Sequence, residues 1–164
     1  MLLLFDLDDT LYSRSEQLSD NYTEKDLSRI TLFPGVTHLL TQKKLNQKCM
    51  TKVLVTKGDN HLQQQKINHL GIDHYFQKVL ICPRDEDKKS CFEKAIKDFS
   101  DEDVWVIGNR LDSEIRYGKE LGLKTIYLRH GKYASLQPKD AYEVPDYEVE
   151  KFEDIINILQ EEQP

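Results

Sequence analysis

Met1-Leu2-Leu3-Leu4-Phe5-Asp6-Leu7-Asp8-Asp9-Thr10-Leu11-Tyr12 is an apolar run that breaks into a cluster of aspartates. Its first part is short and continuous in large side chains, the pattern of a strand buried on both faces of a parallel sheet. Asp6 cuts the run far below the roughly 20 apolar residues of a membrane span, and a signal peptide's apolar region is lacking too. With this strand at residues 2–7, similar runs follow at 52–55, 78–81, 104–107 and 125–128. Amphipathic stretches lie between them. Val36, Leu39 and Leu40, with Leu45, form an apolar stripe after Pro34, and Leu62, Ile67 and Leu70 form another that stops at Gly71. Phe92, Ala95, Ile96 and Phe99 repeat at i, i+3, i+4 and i+7, the spacing of one helical face. Leu111 and Ile115 begin a further helix ended by Gly122, and Ile155, Ile156, Ile158 and Leu159 close the chain after a short extended piece at 147–149. The alternation predicts a three-layer, Rossmann-like α/β fold with a mainly parallel five-stranded sheet.

The 164 residues predict one domain over 1–164, with a polar insertion at about 13–33. Hydrophobic residues at 38% and charged residues at 32% describe a polar-surfaced globule, not a membrane protein. A net charge of −6 excludes broad nucleic-acid or anionic-membrane binding, which needs clustered Lys and Arg. Cys49, Cys82 and Cys91 are odd in number and contain no CxxC, so neither a disulfide framework nor a cysteine zinc site is predicted. A reducing cytoplasm is the expected compartment.

Ligands of open parallel sheets collect at the carboxyl ends of strands, where the first run delivers Asp6 and Asp8. Two carboxylates two residues apart repel each other and favour a hard divalent cation. The same acids also suit a simple turn, with Asp9 or Thr10 capping a helix. The stretch from Phe5 to Tyr12 closely resembles motif I of the haloacid dehalogenase superfamily of phosphotransferases, DxDx(T/V). The resemblance implies that Asp6 is the nucleophile that forms an aspartyl phosphate and that Asp8 is the general acid and base.

Val53-Leu54-Val55-Thr56-Lys57-Gly58 resembles motif II, which implies that Thr56 bonds the transferring phosphoryl group, with Lys57 beside it on the substrate. Motif III needs a lysine just before a helix, and Lys88 and Lys89 both qualify. Spacing to Phe92 in relatives selects Lys88. Val104-Trp105-Val106-Ile107-Gly108-Asn109 resembles motif IV with Asn109 at its first acidic position; Asp112 and Glu114 follow. By this resemblance Mg²⁺ is held by Asp6, the Asp8 backbone carbonyl and Asn109, with Asp112 or Glu114 in support. An amide in place of a carboxylate removes one negative charge and predicts weaker metal binding.

Larger members carry a cap domain in one of two gaps between these motifs. Neither gap has room for one here, so a minimal cap and an open site are expected. An open site favours a phosphorylated macromolecule or large metabolite, or a cap lent by a second subunit in a homo-oligomer. Tyr12, Arg14 and the insertion are the local candidates for leaving-group contacts. Asp8 argues for phosphate chemistry over dehalogenation. The reading is a Mg²⁺-dependent phosphomonoester hydrolase; the alternative is a weak or inactive member of the fold that binds a partner.

Overall fold

In the computed structural model, which describes residues 1–100 and 103–162, the opening apolar run becomes β1 (Leu2–Phe5), buried throughout. Two one-turn helices follow, α1 (Arg14–Gln17) and α2 (Glu24–Leu27), and then α3 (Val36–Thr41). A hairpin of β2 (Lys44–Leu45) and β3 (Lys48–Cys49) leads to β4 (Thr51–Lys57), α4 (Asn60–Leu70) and β5 (Lys78–Cys82). The second half runs through α5 (Lys88–Phe99), β6 (Val104–Gly108), a π-helical turn (Leu111–Ile115) and α6 (Arg116–Glu120). It ends with β7 (Lys124–Leu128), β8 (Tyr147–Val149) and α7 (Glu153–Glu161).

The main sheet has the order β5-β4-β1-β6-β7-β8, and every neighbouring pair is parallel. It has six strands where the sequence predicted five. The sixth is β8, whose Tyr147 and Val149 pair with Ile126 and Leu128 of β7. It is the extended piece expected at 147–149; three residues are too few to show a sheet face, and pairing with β7 brings them into the sheet. From β1 the chain moves outward through β4 to β5, then returns to β6 on the other side of β1. That reversal opens a crevice at the carboxyl ends of β1 and β6, where α/β sheets bind ligands.

Alternation along β1 explains the three layers. Leu3 and Phe5 join Leu54, Trp105 and Ile107 in a core covered by α3, α4 and α7. Leu2 and Leu4 face the other way and meet Val53, Val106 and the Phe92 and Ala95 side chains of α5. Leu45 is buried in the first core from the hairpin, not from the end of α3. Asn46 and Gln47 hold left-handed backbone there, the geometry of a tight two-residue hairpin turn. On α4, Ile67 and Leu70 of the predicted stripe pack on the core, but Leu62 is 42% exposed, and Gln63 and Lys66 are buried. Their polar ends meet partners in the site described below, which offsets the cost of burying them.

The insertion is clipped at its base. Gln17 Nε2 donates to the Thr31 carbonyl at 3.0 Å, and the Thr31 N–H donates to Gln17 Oε1 at 2.7 Å. Among the described residues no helix is long and apolar enough to cross a membrane.

Gly118 lets α6 lie directly on the sheet. A Cβ there would sit 2.7 Å from Thr125 Cγ2 and 3.2 Å from Val106 Cγ2. Thr125 cannot turn aside freely, because its hydroxyl donates to Asp146 at 2.8 Å. Gly118→Ala is therefore expected to cost about 1–3 kcal/mol by overpacking, read as a lower urea midpoint with an unchanged slope.

Candidate active site

β1 ends by handing Asp6 to the crevice. The Asp6 N–H still donates to the Ile107 carbonyl at 3.0 Å, so the β1–β6 ladder fixes its backbone. The chain then turns sharply, with Leu11 N–H on the Leu7 carbonyl and Asp9 in left-handed backbone at φ 57°. Asp9 tolerates that conformation because its carboxylate bonds locally, accepting from the Ser15 N–H at 2.8 Å and the Ser15 hydroxyl at 2.9 Å. Gly131 backs this turn, and a Cβ on it would come within 2.4 Å of Asp9 Oδ2.

Asp6 and Lys88 meet at 2.8 Å, both almost fully buried. The same ammonium donates to Glu114 Oε1. Glu114 Oε2 accepts from the Arg110 N–H at 3.0 Å, and its side chain folds across Gly108, where a Cβ would lie 2.5 Å from Glu114 Cγ. One cation thus serves two buried carboxylates. Burial pushes the Asp6 carboxyl up to about 7 against the pull of Lys88, with Glu114 and Asp8 adding to the rise. Burial draws the Lys88 ammonium down, but Asp6 and Glu114 outweigh it and hold it above the ordinary lysine value. Lys89 points elsewhere and pairs with Glu120 at 2.8 Å.

Asp8 has a separate set of partners. Tyr12 donates to it at 2.6 Å, Gln63 at 3.0 Å, and the Lys66 ammonium spans both oxygens at 2.9 and 3.0 Å. Gln63 also donates to Thr56 Oγ1 at 2.7 Å, so α4 ties Asp8 to Thr56. Tyr12, a candidate leaving-group contact by sequence, is fully buried in this network. The Tyr22 ring of the insertion lies 5.7 Å from the Lys66 ammonium.

A cavity of about 420 Å³ opens over these groups, lined by Asp6, Asp8, Thr56, Lys57, Lys88, Asn109 and Glu114. The insertion contributes Arg14, Ser15 and Asp20 to its wall. Asp112 is not brought to it and holds the Arg110 guanidinium through both oxygens, at 3.0 and 3.1 Å. Asp85 joins Arg110 at 2.7 Å and Lys57 at 3.1 Å across the mouth. Burial alone would raise the Asp85 carboxyl, but Arg110 and Lys57 keep it below the usual range. Gln63, Lys66 and Asp85 were missed by sequence reasoning. The signal for the first two was present: polar residues three apart on the helix that follows Thr56.

A protein-family model described as "Haloacid dehalogenase-like hydrolase" matches residues 13–128. The chain belongs to that family. The glyceraldehyde 3-phosphate phosphatase of Methanopyrus kandleri is 27% identical over 145 residues, covering 85% of this chain and 61% of the relative. That of Pyrococcus furiosus is 32% identical over 114 residues, covering 66% and 47%. The chain therefore spans roughly half to three fifths of the length of these relatives. Among solved structures, the putative hydrolase YfnB of Bacillus subtilis, bound to magnesium, superimposes with a TM-score of 0.70 at 20% identity over 96% of this chain and 97% of that one. A predicted phosphoglycolate phosphatase from Haemophilus somnus gives 0.74 at 18% identity, covering 97% of each chain. These two likenesses establish the fold.

The donor set suits a hard cation. Asp6 Oδ2 accepts only a 3.3 Å bond from Thr10, and the buried Asn109 carbonyl oxygen has no donor among the described residues, its amide donating to the His130 carbonyl at 3.3 Å. Two acceptor oxygens short of donors fit a hard divalent cation, while no group of three or more Asp, Glu, His or Cys side chains among the described residues is gathered to hold one.

Because the Asp6 carboxyl lies above its unfolded value near 3.8, the fold holds a proton there that the unfolded chain has released between about pH 4 and 7. Its ionisation then weakens the metal-free fold as pH climbs through that window. Asp6→Asn should flatten this slope and leave the metal-free protein at least as stable at about pH 8, measured by urea unfolding. Lys88→Met strands two buried carboxylates and should cost ~3–5 kcal/mol in the same assay.

Proposed function

We propose that the chain is a Mg²⁺-dependent phosphomonoester hydrolase that works through an aspartyl phosphate on Asp6. The observation that carries this reading is the buried Asp6–Lys88–Glu114 constellation at the sheet's switch point, facing a cavity beside Thr56. Asp6 attacks phosphorus, and the bond to the leaving alkoxide breaks as Asp8 supplies a proton. Asp8 then takes a proton from water, which attacks the phosphorus of phospho-Asp6 and releases inorganic phosphate. A carboxylate nucleophile divides one difficult displacement into two easier ones.

Lys88 and Thr56 hold phosphoryl oxygens, and Lys57 stands at the mouth for the incoming anion. Fixed donors aimed at developing charge need no reorganisation during reaction. Mg²⁺, held by Asp6, the Asp8 backbone carbonyl and Asn109 with Glu114 nearby, would supply charge neutralisation at the phosphoryl group. Gln63 and Lys66 keep Asp8 oriented over the same space as Thr56.

The substrate we favour is a small phosphorylated metabolite. An open site by itself suggested a large one. A cavity of about 420 Å³ is at the scale of small-molecule sites, and the archaeal relatives are named for a triose phosphate.

Phosphate release from an aryl phosphate and from triose phosphates, with and without Mg²⁺, tests the reading. Asp6→Asn should lower turnover more than about 10³-fold; equal activity in wild type and variant overturns Asp6 as nucleophile. Asn109→Asp adds a ligand charge and should lower the Mg²⁺ concentration for half activity on the order of tenfold. An unchanged half-activity concentration would place Asn109 outside the coordination sphere.

A further inference from the structure

Cys82 ends β5 and Cys91 lies in the first turns of α5, and their sulfurs are 2.8 Å apart. Their spacing in the chain does not pair them. Cys82 is almost fully buried at the end of its strand, and the thiol donates to Cys91 Sγ; Cys91 is partly exposed, whereas Cys49 is exposed far along the chain. Burial, with the bond to Cys91 adding to it, pushes the Cys82 thiol well above the ordinary range, so it stays protonated until a neighbour reacts. The two sulfurs stand less than 1 Å beyond the roughly 2.05 Å of a disulfide bond.

We propose that Cys82 and Cys91 are an oxidisable dithiol that peroxides convert into an intramolecular disulfide. The accessible Cys91 sulfur attacks a peroxide oxygen, the O–O bond breaks, and Cys91 becomes a sulfenic acid as water leaves. Cys82 sulfur then attacks the Cys91 sulfur; the S–O bond breaks, and the departing hydroxide takes the Cys82 proton as a second water. Two thiols lose two electrons and two protons, and one peroxide gains them.

The placement gives the bond a structural consequence. It closes a ring over residues 82–91, which includes Asp85, the partner of Lys57 and Arg110, and Lys88, the partner of Asp6 and Glu114. Cross-linking the ends of such a loop removes freedom from the segment that carries both side chains. The dithiol chemistry itself is independent of the phosphatase reading.

The test exposes the full reduced chain to hydrogen peroxide, followed by thiol titration, intact mass and non-reducing peptide mapping. Free thiols should fall from three to one, the mass should drop by two hydrogens, and a Cys82–Cys91 cross-linked peptide should appear and vanish with dithiothreitol. In Cys82→Ser, Cys91 should instead be captured by dimedone as a sulfenic acid. Mapping of the wild type needs no variant, so a poorly folding Cys82→Ser leaves the test standing. The proposal is overturned if Cys82 keeps its thiol while Cys91 or Cys49 oxidises alone, or if dimedone labels Cys91 equally in both proteins.

Discussion

The Lys88 ammonium, shared by Asp6 and Glu114 inside the protein, is the constraint around which the site is arranged. It joins three elements that are distant in sequence: the end of β1, the start of α5 and the π-helical turn after β6. Desolvating three charges is costly, and such a cluster persists only when its geometry is fixed from all sides. Gly108 fixes it from below by leaving room for the Glu114 side chain, and the Arg110 N–H fixes the outer carboxylate oxygen. Local stability is given up for a concentrated negative charge beside a cavity.

Much of the fold was legible because strands buried on both faces leave continuous apolar runs. β1, β4, β5, β6 and β7 fall where those runs are. The β2–β3 hairpin escaped, and the extended piece at 147–149 was not counted into the sheet, for a common reason: segments of two or three residues take their place from what they pair with. Leu62 shows a narrower failure: Ile67 and Leu70 of its stripe reach the core, but Leu62 itself stays exposed. Asp8 and Thr56 draw Gln63 and Lys66 inward, and no hydrophobic count registers a pull of that kind.

The residues that line the cavity were legible where a strand end carries a distinctive residue type, as with Asp6, Asp8, Thr56 and Asn109. Lys88 against Lys89 was a question of direction. The structure turns the former to Asp6 and the latter to Glu120. Asp112 and Glu114 were indistinguishable by composition, and a two-residue step on the π-helical turn sends one to Arg110 and the other to Lys88. Long-range partners such as Asp85, which bridges Lys57 and Arg110, leave no local mark at all.

The reciprocal Gln17–Thr31 bonds make the segment between them a socket. Because the two ends are already held together, the entropic penalty for lengthening the chain between them grows only logarithmically. Leu18, Leu27 and Ile30 anchor that segment in the core, so chain added at the exposed residues 19–21 lengthens a loop whose two ends stay fixed. The floor of the cavity and the canopy above it are thus held by different forces, the first by buried charge and the second by three apolar anchors and the Gln17–Thr31 clip.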